Sequence, residues 1–214
     1  MKYLSEGYHH FRTHIFPRKQ PLYLELARGQ SPRYLFITCC DSRVQPYEFT
    51  QSDAGDLFME RSVGNLVPRP GRGEHEALAA IEYAVIALGV EHLIICGHSR
   101  CGAMNGLLHP ETLREMPMVA AWLSNAEETL EAVKGKYAHL QGDDLLEATI
   151  RENVILQVEH ARRLPFVAPR VEQGRLKVHG WVYEFEHGEV IVHDPRTGSF
   201  VSLDDAYDVA GPPR

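Results

Sequence analysis

The run from residue 75 to residue 98 constrains the fold more than any other part of this sequence. Apolar residues recur there at helical spacing up to Gly89, and the apolar strand segment EHLIICGH follows directly. An aromatic and β-branched strand segment, RYLFITC, lies upstream, and DLFMERS between them predicts a second, weaker strand. Strands joined through a helix by short connections are typical of a parallel sheet, so the sequence predicts an α/β fold.

The second half of the chain adds helices and an antiparallel edge to this sheet. Helical patterns cover PMVAAWLSNAEETLEAV and DDLLEATIRENVILQVEHARRL, and the second pattern ends at Pro165. The final section, RLKVHGWVYEFEHGEVIVHDPRTGSFVSL, alternates apolar and polar residues around a turn at residues 187 and 188. This alternation predicts a C-terminal hairpin followed by a short last strand.

The first 30 residues are expected to form a helical arm. Apolar residues in the stretch 8–26 fall in short groups interrupted by Pro17 and Pro21, which predicts two brief helices packed on a neighbouring subunit. Beyond this arm we expect a mostly parallel central sheet with flanking helices. We expect residues 1–214 to form a single domain.

Composition excludes several classes of function. The formal charge of −7 over 214 residues provides no basic surface for a phosphate backbone, so we expect no nucleic-acid partner. No window approaches the roughly 18 apolar residues that a membrane span needs, and the start lacks the apolar core of a secretory signal. We therefore expect a cytoplasmic protein with no membrane partner.

The four cysteines lie in two close groups beside chemically suggestive neighbours. Cys39 and Asp41 lie two apart in FITCCDSRV, so both side chains point to one side of an extended strand end and Cys40 to the other. In CGHSRCG, His98 and Cys101 lie three apart, where a strand should turn into a helix. Sites in open α/β sheets form at the carboxyl ends of strands, so these groups should meet there.

Two thiolates and an imidazole form a ligand set that suits zinc, and three protein ligands leave a fourth position for water. Two other hypotheses remain open at this point. In one, the zinc is purely structural and Asp41 or Cys40 closes the tetrahedron, although a structural site needs no Arg43 competing for the carboxylate. In the other, a cysteine pair acts as a redox dithiol, against which the absence of a CxxC motif weighs.

These motifs resemble those of the β-class carbonic anhydrases, which carry CxDxR and HxxC. The blocks QSPRYLFITCCDSRV, ERSVGNLVP, AAIEYAV, CGHSRCGAM, RENV and HGWVY also match the family in order and spacing, so the resemblance covers residues 11–203. It is greatest to the bacterial members associated with cyanate metabolism and to the plant-type subgroup, on the basis of Gln30 and of Phe36 in place of a tryptophan. The resemblance implies the β-carbonic anhydrase fold and reversible hydration of CO₂ to bicarbonate and a proton.

The resemblance also implies roles for individual residues at the zinc. Cys39, His98 and Cys101 would bind one Zn²⁺ per chain, and zinc-bound hydroxide would attack CO₂. Asp41 and Arg43 would form a catalytic pair, in which the arginine holds the carboxylate toward the nucleophile. Without that pairing, Asp41 would become a fourth zinc ligand and close the site.

A substrate pocket shared between two subunits is the remaining implication of the resemblance. Its walls would be formed by Gln30, Phe58 and Tyr83, contributed across a dimer interface, together with Val63 and Gly102. The expected partners are therefore CO₂ or bicarbonate and further copies of the chain, in a homodimer or a higher even-numbered homo-oligomer.

The remaining cysteines and the tryptophans are expected to have structural roles. Cys40 and Cys96 are predicted to be small buried hydrophobic residues that bind no metal. Trp122 and Trp181 are predicted to lie in the core or at an interface.

Overall fold

A computed structural model of the chain describes residues 1–71 and 75–208. Its strands are β1 Tyr34–Cys39, β2 Leu57–Ser62, β3 His92–His98, β4 Lys177–Glu184, β5 Glu189–Asp194 and β6 Ser199–Ser202. They form one six-stranded sheet in the order β2-β1-β3-β4-β5-β6. The first four strands in this order pair in parallel, and the last two pairings are antiparallel. The predicted mostly parallel sheet with a C-terminal hairpin is confirmed.

Helices lie before, between and after these strands. The α-helices are α1 Lys2–His10, α2 Phe16–Leu26, α3 Pro46–Phe49, α4 Glu76–Tyr83, α5 Gly102–Leu108, α6 Pro117–Leu123, α7 Glu127–Lys136, α8 Gly142–Arg162, α9 Ala168–Glu172 and α10 Leu203–Tyr207. Short π-helical segments at Phe11–Ile15 and Ala84–Leu88 continue α1 and α4. Across the described part of the chain, none of the helices combines the length and the apolar character that crossing a bilayer requires.

The helix that follows β2 positions the central strands as the sequence predicted. Helix α4 and its π-helical continuation end at Gly89, whose φ of 67° is the left-handed conformation that glycine adopts without strain. Ile81 and Val85 are fully buried against the sheet. They join a core cluster that includes Leu35 of β1 and Leu93 of β3. Burial of this apolar face holds β1 and β3 side by side, so their carboxyl ends lie at one edge.

The N-terminal arm differs from the expected pair of brief helices. The structure has one continuous helical run over residues 2–26, in which α1, the π-helical segment and α2 follow without a break. Pro17 lies in the first turn of α2, where a proline is tolerated, and Pro21 lies inside the helix. The wider π-helical segment ends two residues before Pro17, which has no backbone N–H to donate. None of the residues of α1 or α2 is buried.

The region predicted as one helix over residues 117–133 is also different. It contains two helices, α6 and α7, separated by a 3₁₀ turn at Ser124–Ala126. The break follows Trp122, whose indole N–H donates to the carbonyl of Val63 at 2.7 Å, and whose own carbonyl accepts from the Asn125 side chain at 2.9 Å. These tertiary and local bonds compete with a continuous helix, and a helical pattern alone does not reveal them.

Candidate metal centre

Three buried side chains with soft donor atoms converge at the carboxyl edge of the sheet. Cys39 is the last residue of β1, His98 is the last residue of β3, and Cys101 is the N-cap of α5. Their ligand atoms all lie within 4.8 Å of one another, and the three residues are 5%, 0% and 1% exposed. The predicted meeting of the two motifs is confirmed.

The local path between the two ligands of the second motif is different from the prediction. His98 and Cys101 do not share a helical turn, because β3 runs through His98 and α5 begins only at Gly102. A tight turn at Ser99 and Arg100 joins them instead, with Arg100 in the left-handed region at φ 55°. The turn brings the ligand atoms of His98 and Cys101 close together. Three-residue spacing on a helix would have had the same result.

The imidazole of His98 is oriented toward the two thiols by a backbone hydrogen bond. Its Nδ1 lies 2.8 Å from the carbonyl oxygen of Ser99, which can only accept, so Nδ1 carries the proton. Nε2 therefore presents a lone pair, and it is buried without a hydrogen-bond partner. An orphaned imidazole nitrogen beside two thiols is the arrangement that a bound metal completes.

The thiol of Cys39 is in an environment that favours the thiolate. The hydrogen bond from Cys101 is the largest cause that lowers the pKa of Cys39, and the hydrogen bond from the backbone amide of Gly64 acts in the same direction. The Gly64 amide donates to Cys39 Sγ at 3.4 Å. Gly64 adopts φ 79°, and a Cβ at this residue would approach Ala103 to 3.0 Å, so glycine fits here without strain.

A carboxylate and an arginine form a bidentate pair beside the cluster. Arg43 donates from Nε to Asp41 Oδ1 at 2.9 Å and from Nη2 to Oδ2 at 2.8 Å. These bonds are the main reason that the pKa of Asp41 lies well below its usual range. Oδ2 also lies 4.0 Å from Nε2 of His98, so the ionised carboxylate faces the cluster while Arg43 holds it.

Two residues that the sequence reasoning did not single out shape this region. Arg61 of β2 donates to the carbonyls of Cys39, Asp41 and Val44 at 2.9–3.1 Å, which fixes the loop that follows β1. The ring of Phe185 lies 4.6 Å below the guanidinium of Arg43. Arg61 falls in the block ERSVGNLVP, but an arginine at a strand end carries no local signal of what it will bind.

The five residues predicted for the substrate pocket fall into separate groups within one chain. Val63 packs against the apolar cluster that contains Cys39 and Cys101, and Gly102 directly follows the latter. Phe58 and Tyr83 form a tilted ring pair with centroids 5.8 Å apart, and Tyr83 is 51% exposed. Gln30 is exposed beyond the end of α2.

The prediction for the second cysteine of FITCCDSRV was wrong in one respect. Cys40 is exposed rather than buried, and it lines a cleft with Glu60, Arg61 and Glu76. Strand β1 ends at Cys39, so the next residue lies beyond the sheet and is not enclosed by its core. Cys96 in the middle of β3 is fully buried, as predicted.

Burial of the two tryptophans is partial. Trp122 packs against the cluster that contains Cys39, and Trp181 makes an edge contact with Phe36 on the other face of the sheet. Both residues thus border the core, as predicted.

Comparison with known proteins gives one consistent result. A profile of the carbonic anhydrase family matches residues 34–190. The carbonic anhydrase of Synechococcus elongatus is 47% identical over 192 residues, which cover 89% of this chain and 71% of that protein. The carbonic anhydrase of Pseudomonas aeruginosa is 41% identical over 203 residues, covering 95% of this chain and 92% of that protein.

Among solved structures, the β-carbonic anhydrase CcaA superimposes with a TM-score of 0.92 at 43% identity, covering 94% of this chain and 98% of that chain. The α/β fold carries a buried Cys-His-Cys group that could hold a metal ion. The chain belongs to the carbonic anhydrase family and to its β class. The resemblance drawn from the sequence motifs is thereby confirmed.

Proposed function

We propose that the chain catalyses the reversible hydration of CO₂ to bicarbonate and a proton, with one Zn²⁺ held by Cys39, His98 and Cys101. The observation that carries this proposal is the orphaned, buried Nε2 of His98 beside two thiols and a carboxylate that Arg43 holds. When bound, zinc supplies a water of lowered pKa, and so a nucleophile for CO₂ near neutral pH. The soft donor set matches the ligands that zinc prefers.

Asp41 orients the reacting water in this proposal. Because Arg43 keeps the carboxylate ionised, Asp41 Oδ2 can accept a hydrogen bond from a water near the cluster and fix its direction. The same bidentate pairing occupies both carboxylate oxygens, which opposes their use as a fourth metal ligand. This argues for an open catalytic site rather than a structural zinc closed by Asp41.

We also propose that the substrate pocket is completed by a second copy of the chain. Phe58, Tyr83 and Gln30 would line the apolar pocket opposite the Val63 and Gly102 of the other subunit, and the Gln30 amide would donate to bicarbonate. The 51% exposure of Tyr83 in one chain is favourable for such a shared pocket. A homodimer or a higher even-numbered homo-oligomer follows from this arrangement.

Residues 1–30 would form the arm that joins two copies. Tyr3, Leu4 and Tyr8 of α1 are 84%, 64% and 62% exposed, and such large apolar side chains lower the free energy when a partner covers them. The remainder of the chain would be a single catalytic domain. A cytoplasmic location is proposed on the composition alone.

Zinc content and CO₂ hydration, measured on the same preparation, test the proposed function. We expect about one zinc per chain by elemental analysis and rapid hydration in a stopped-flow assay with a pH indicator. Zinc without hydration would favour the structural zinc site, and hydration without bound metal would contradict the proposed ligand set. Cys96→Ala serves as a control, because this thiol is buried away from the cluster and should affect neither measurement.

A further inference from the structure

The turn between His98 and Cys101 is braced by the tip of the β4–β5 hairpin. The Ser99 amide donates to the carbonyl of Tyr183 at 3.0 Å, which continues the pairing of β3 with β4 past its end. In return, the Ser99 hydroxyl accepts from the amide of Phe185 at 3.2 Å. Two residues of the hairpin therefore hold one residue of the turn through its backbone and its side chain.

A single carboxylate at this tip binds both residues of the turn. Glu186 accepts through Oε2 from the Ser99 hydroxyl, and through Oε1 from Nε of Arg100 at 3.0 Å. The Ser99 hydroxyl thus donates to Glu186 and accepts from the Phe185 amide. These hydrogen bonds form one connected network.

This turn matters because both of its carbonyl groups orient residues of the candidate centre. The Ser99 carbonyl accepts from Nδ1 of His98 and so fixes which nitrogen faces the thiols. The Arg100 carbonyl accepts from Nη2 of Arg43 at 3.1 Å, the same nitrogen that binds Asp41 Oδ2. Displacement of the turn would therefore disturb the imidazole and the guanidinium together.

The backbone of the turn needs external support. Arg100 has φ 55°, a conformation that non-glycine residues adopt at an energetic cost and keep only where surrounding contacts hold them. Asp143 at the start of α8 also binds the Arg100 side chain, at 2.5 Å, but it contacts no other residue of the turn and is 70% exposed. Glu186 is the one carboxylate that joins both turn residues among those that the structure describes.

We propose that Glu186 is a positioning residue for the reaction. It acts through the Ser99–Arg100 turn, keeping His98 Nε2 directed at the metal position and Arg43 engaged with Asp41. This inference rests on the proposed zinc-dependent function. Glu186 lies outside the metal centre, yet it would help to keep Asp41 paired with Arg43. Loss of Glu186 would free the turn and increase the fraction of chains in which Asp41 binds the metal.

The test compares Glu186→Ala with Glu184→Ala in the zinc-loaded enzyme. Glu184 lies on the same hairpin and pairs with Arg151 at 3.2 Å. Its replacement by alanine therefore removes a similar ion pair and leaves the hydrogen bonds of the Ser99–Arg100 turn in place. For Glu186→Ala we expect kcat/KM to fall roughly tenfold, within the range that outer-shell partners of metal sites contribute. X-ray absorption should then report a carboxylate oxygen at the zinc, and hydrogen exchange of the Ser99 and Arg100 amides should accelerate.

Two further variants separate positioning from a general effect on folding. The double variant Ser99→Ala/Glu186→Ala should lose little more activity than either single variant, because both belong to one network. Glu186→Gln should recover part of the loss, since an amide can accept from Arg100 and donate to Ser99. Wild-type activity and zinc coordination in Glu186→Ala, or equal losses in Glu184→Ala, would overturn the proposal. An inactive wild-type enzyme would instead contradict the proposed function.

Discussion

The carboxyl edge of the sheet and the N-terminal arm are opposite cases within one chain. At the sheet edge, Cys39, His98 and Cys101 are all at most 5% exposed, and hydrogen bonds within the same chain hold Cys39 Sγ and His98 Nδ1 in place. In the arm, none of the residues of α1 and α2 is buried, although they include aromatic and aliphatic side chains. The Cys-His-Cys group is thus enclosed by its own chain, whereas the apolar side chains of the arm are left uncovered by it.

This difference indicates which properties depend on assembly. The proposed metal binding and the Asp41–Arg43 pairing use groups that a single chain already brings together, so both should survive separation of the proposed subunits. The proposed substrate pocket uses Gln30 and Tyr83, which are exposed in one chain, so turnover should depend on a partner. Four predictions test this division, from the largest expected effect to the smallest.

The first prediction concerns the two adjacent cysteines. Cys39→Ser should lose most of the bound zinc and nearly all hydration activity, a larger effect than the ~10–100-fold cost of losing an outer-shell partner. Cys40→Ser, the matched control, should keep both properties, because its thiol faces the cleft with Glu60 and Glu76. Elemental analysis and stopped-flow hydration measure the two effects. Equal losses in both variants would show that the ligand assignment is wrong.

The second prediction concerns Arg43. Arg43→Gln should keep zinc but lower kcat by between about 30-fold and about 100-fold, because an uncompensated Asp41 would bind the metal in place of water. This range corresponds to roughly 2–3 kcal/mol, less than the ~3–5 kcal/mol cost of breaking a buried pair, since Arg43 is partly exposed. X-ray absorption should find two sulfur, one nitrogen and one oxygen ligand, the oxygen being from a carboxylate. Near wild-type hydration in a folded variant would refute this explanation.

The third prediction concerns the arm. Leu4→Glu/Tyr8→Glu places two charges on one exposed apolar face of α1 and should raise the subunit dissociation constant by about a hundredfold, if both residues are interface anchors. Light scattering should detect smaller particles, with reduced turnover and unchanged zinc per chain. Lys2→Ala/Glu6→Ala removes an exposed ion pair of the same helix and should change none of these. An unaltered particle mass in the first variant would exclude this face as an interface.

The last prediction concerns a buried carboxyl group in β2. Burial, and secondarily the charge of Glu76, raises the pKa of Glu60 to about 7 from an ordinary value of 4.5. The unfolded chain therefore ionises first as pH rises from 4.5 to 7, and folding stability decreases through that window. Glu60→Gln stays neutral, so it should be more stable than wild type by on the order of 2–3 kcal/mol at pH 8.

Urea unfolding of the two proteins at pH 8 and near pH 4.5 measures this difference. Wild type and Glu60→Gln should have nearly equal stability at the lower pH, where the side chain at residue 60 is uncharged in both folded proteins. A difference that is independent of pH would show that the substitution acts through packing rather than through charge.

The sequence by itself determined the sheet, the principal helices and the chemistry of the site. The apolar segments that became β1 and β3, and the helical pattern ending at Gly89, are local signals, and burial of their apolar faces leaves one parallel arrangement. Parallel neighbours end at the same edge, which is why Cys39 could be placed near His98 and Cys101 from spacing alone.

Tertiary structure decided the features that depend on partners distant in sequence. Pro17 and Pro21 indicated a helix break, but the arm is one continuous helical run, with Pro17 in the first turn of α2 and Pro21 inside that helix. The exposure of Cys40 depends on where β1 ends, and the bonds of Glu186 to Ser99 and Arg100 join residues 86 or 87 positions apart. Short-range patterns record periodicity and composition, whereas these contacts arise only after the hairpin and the strand ends come together in space.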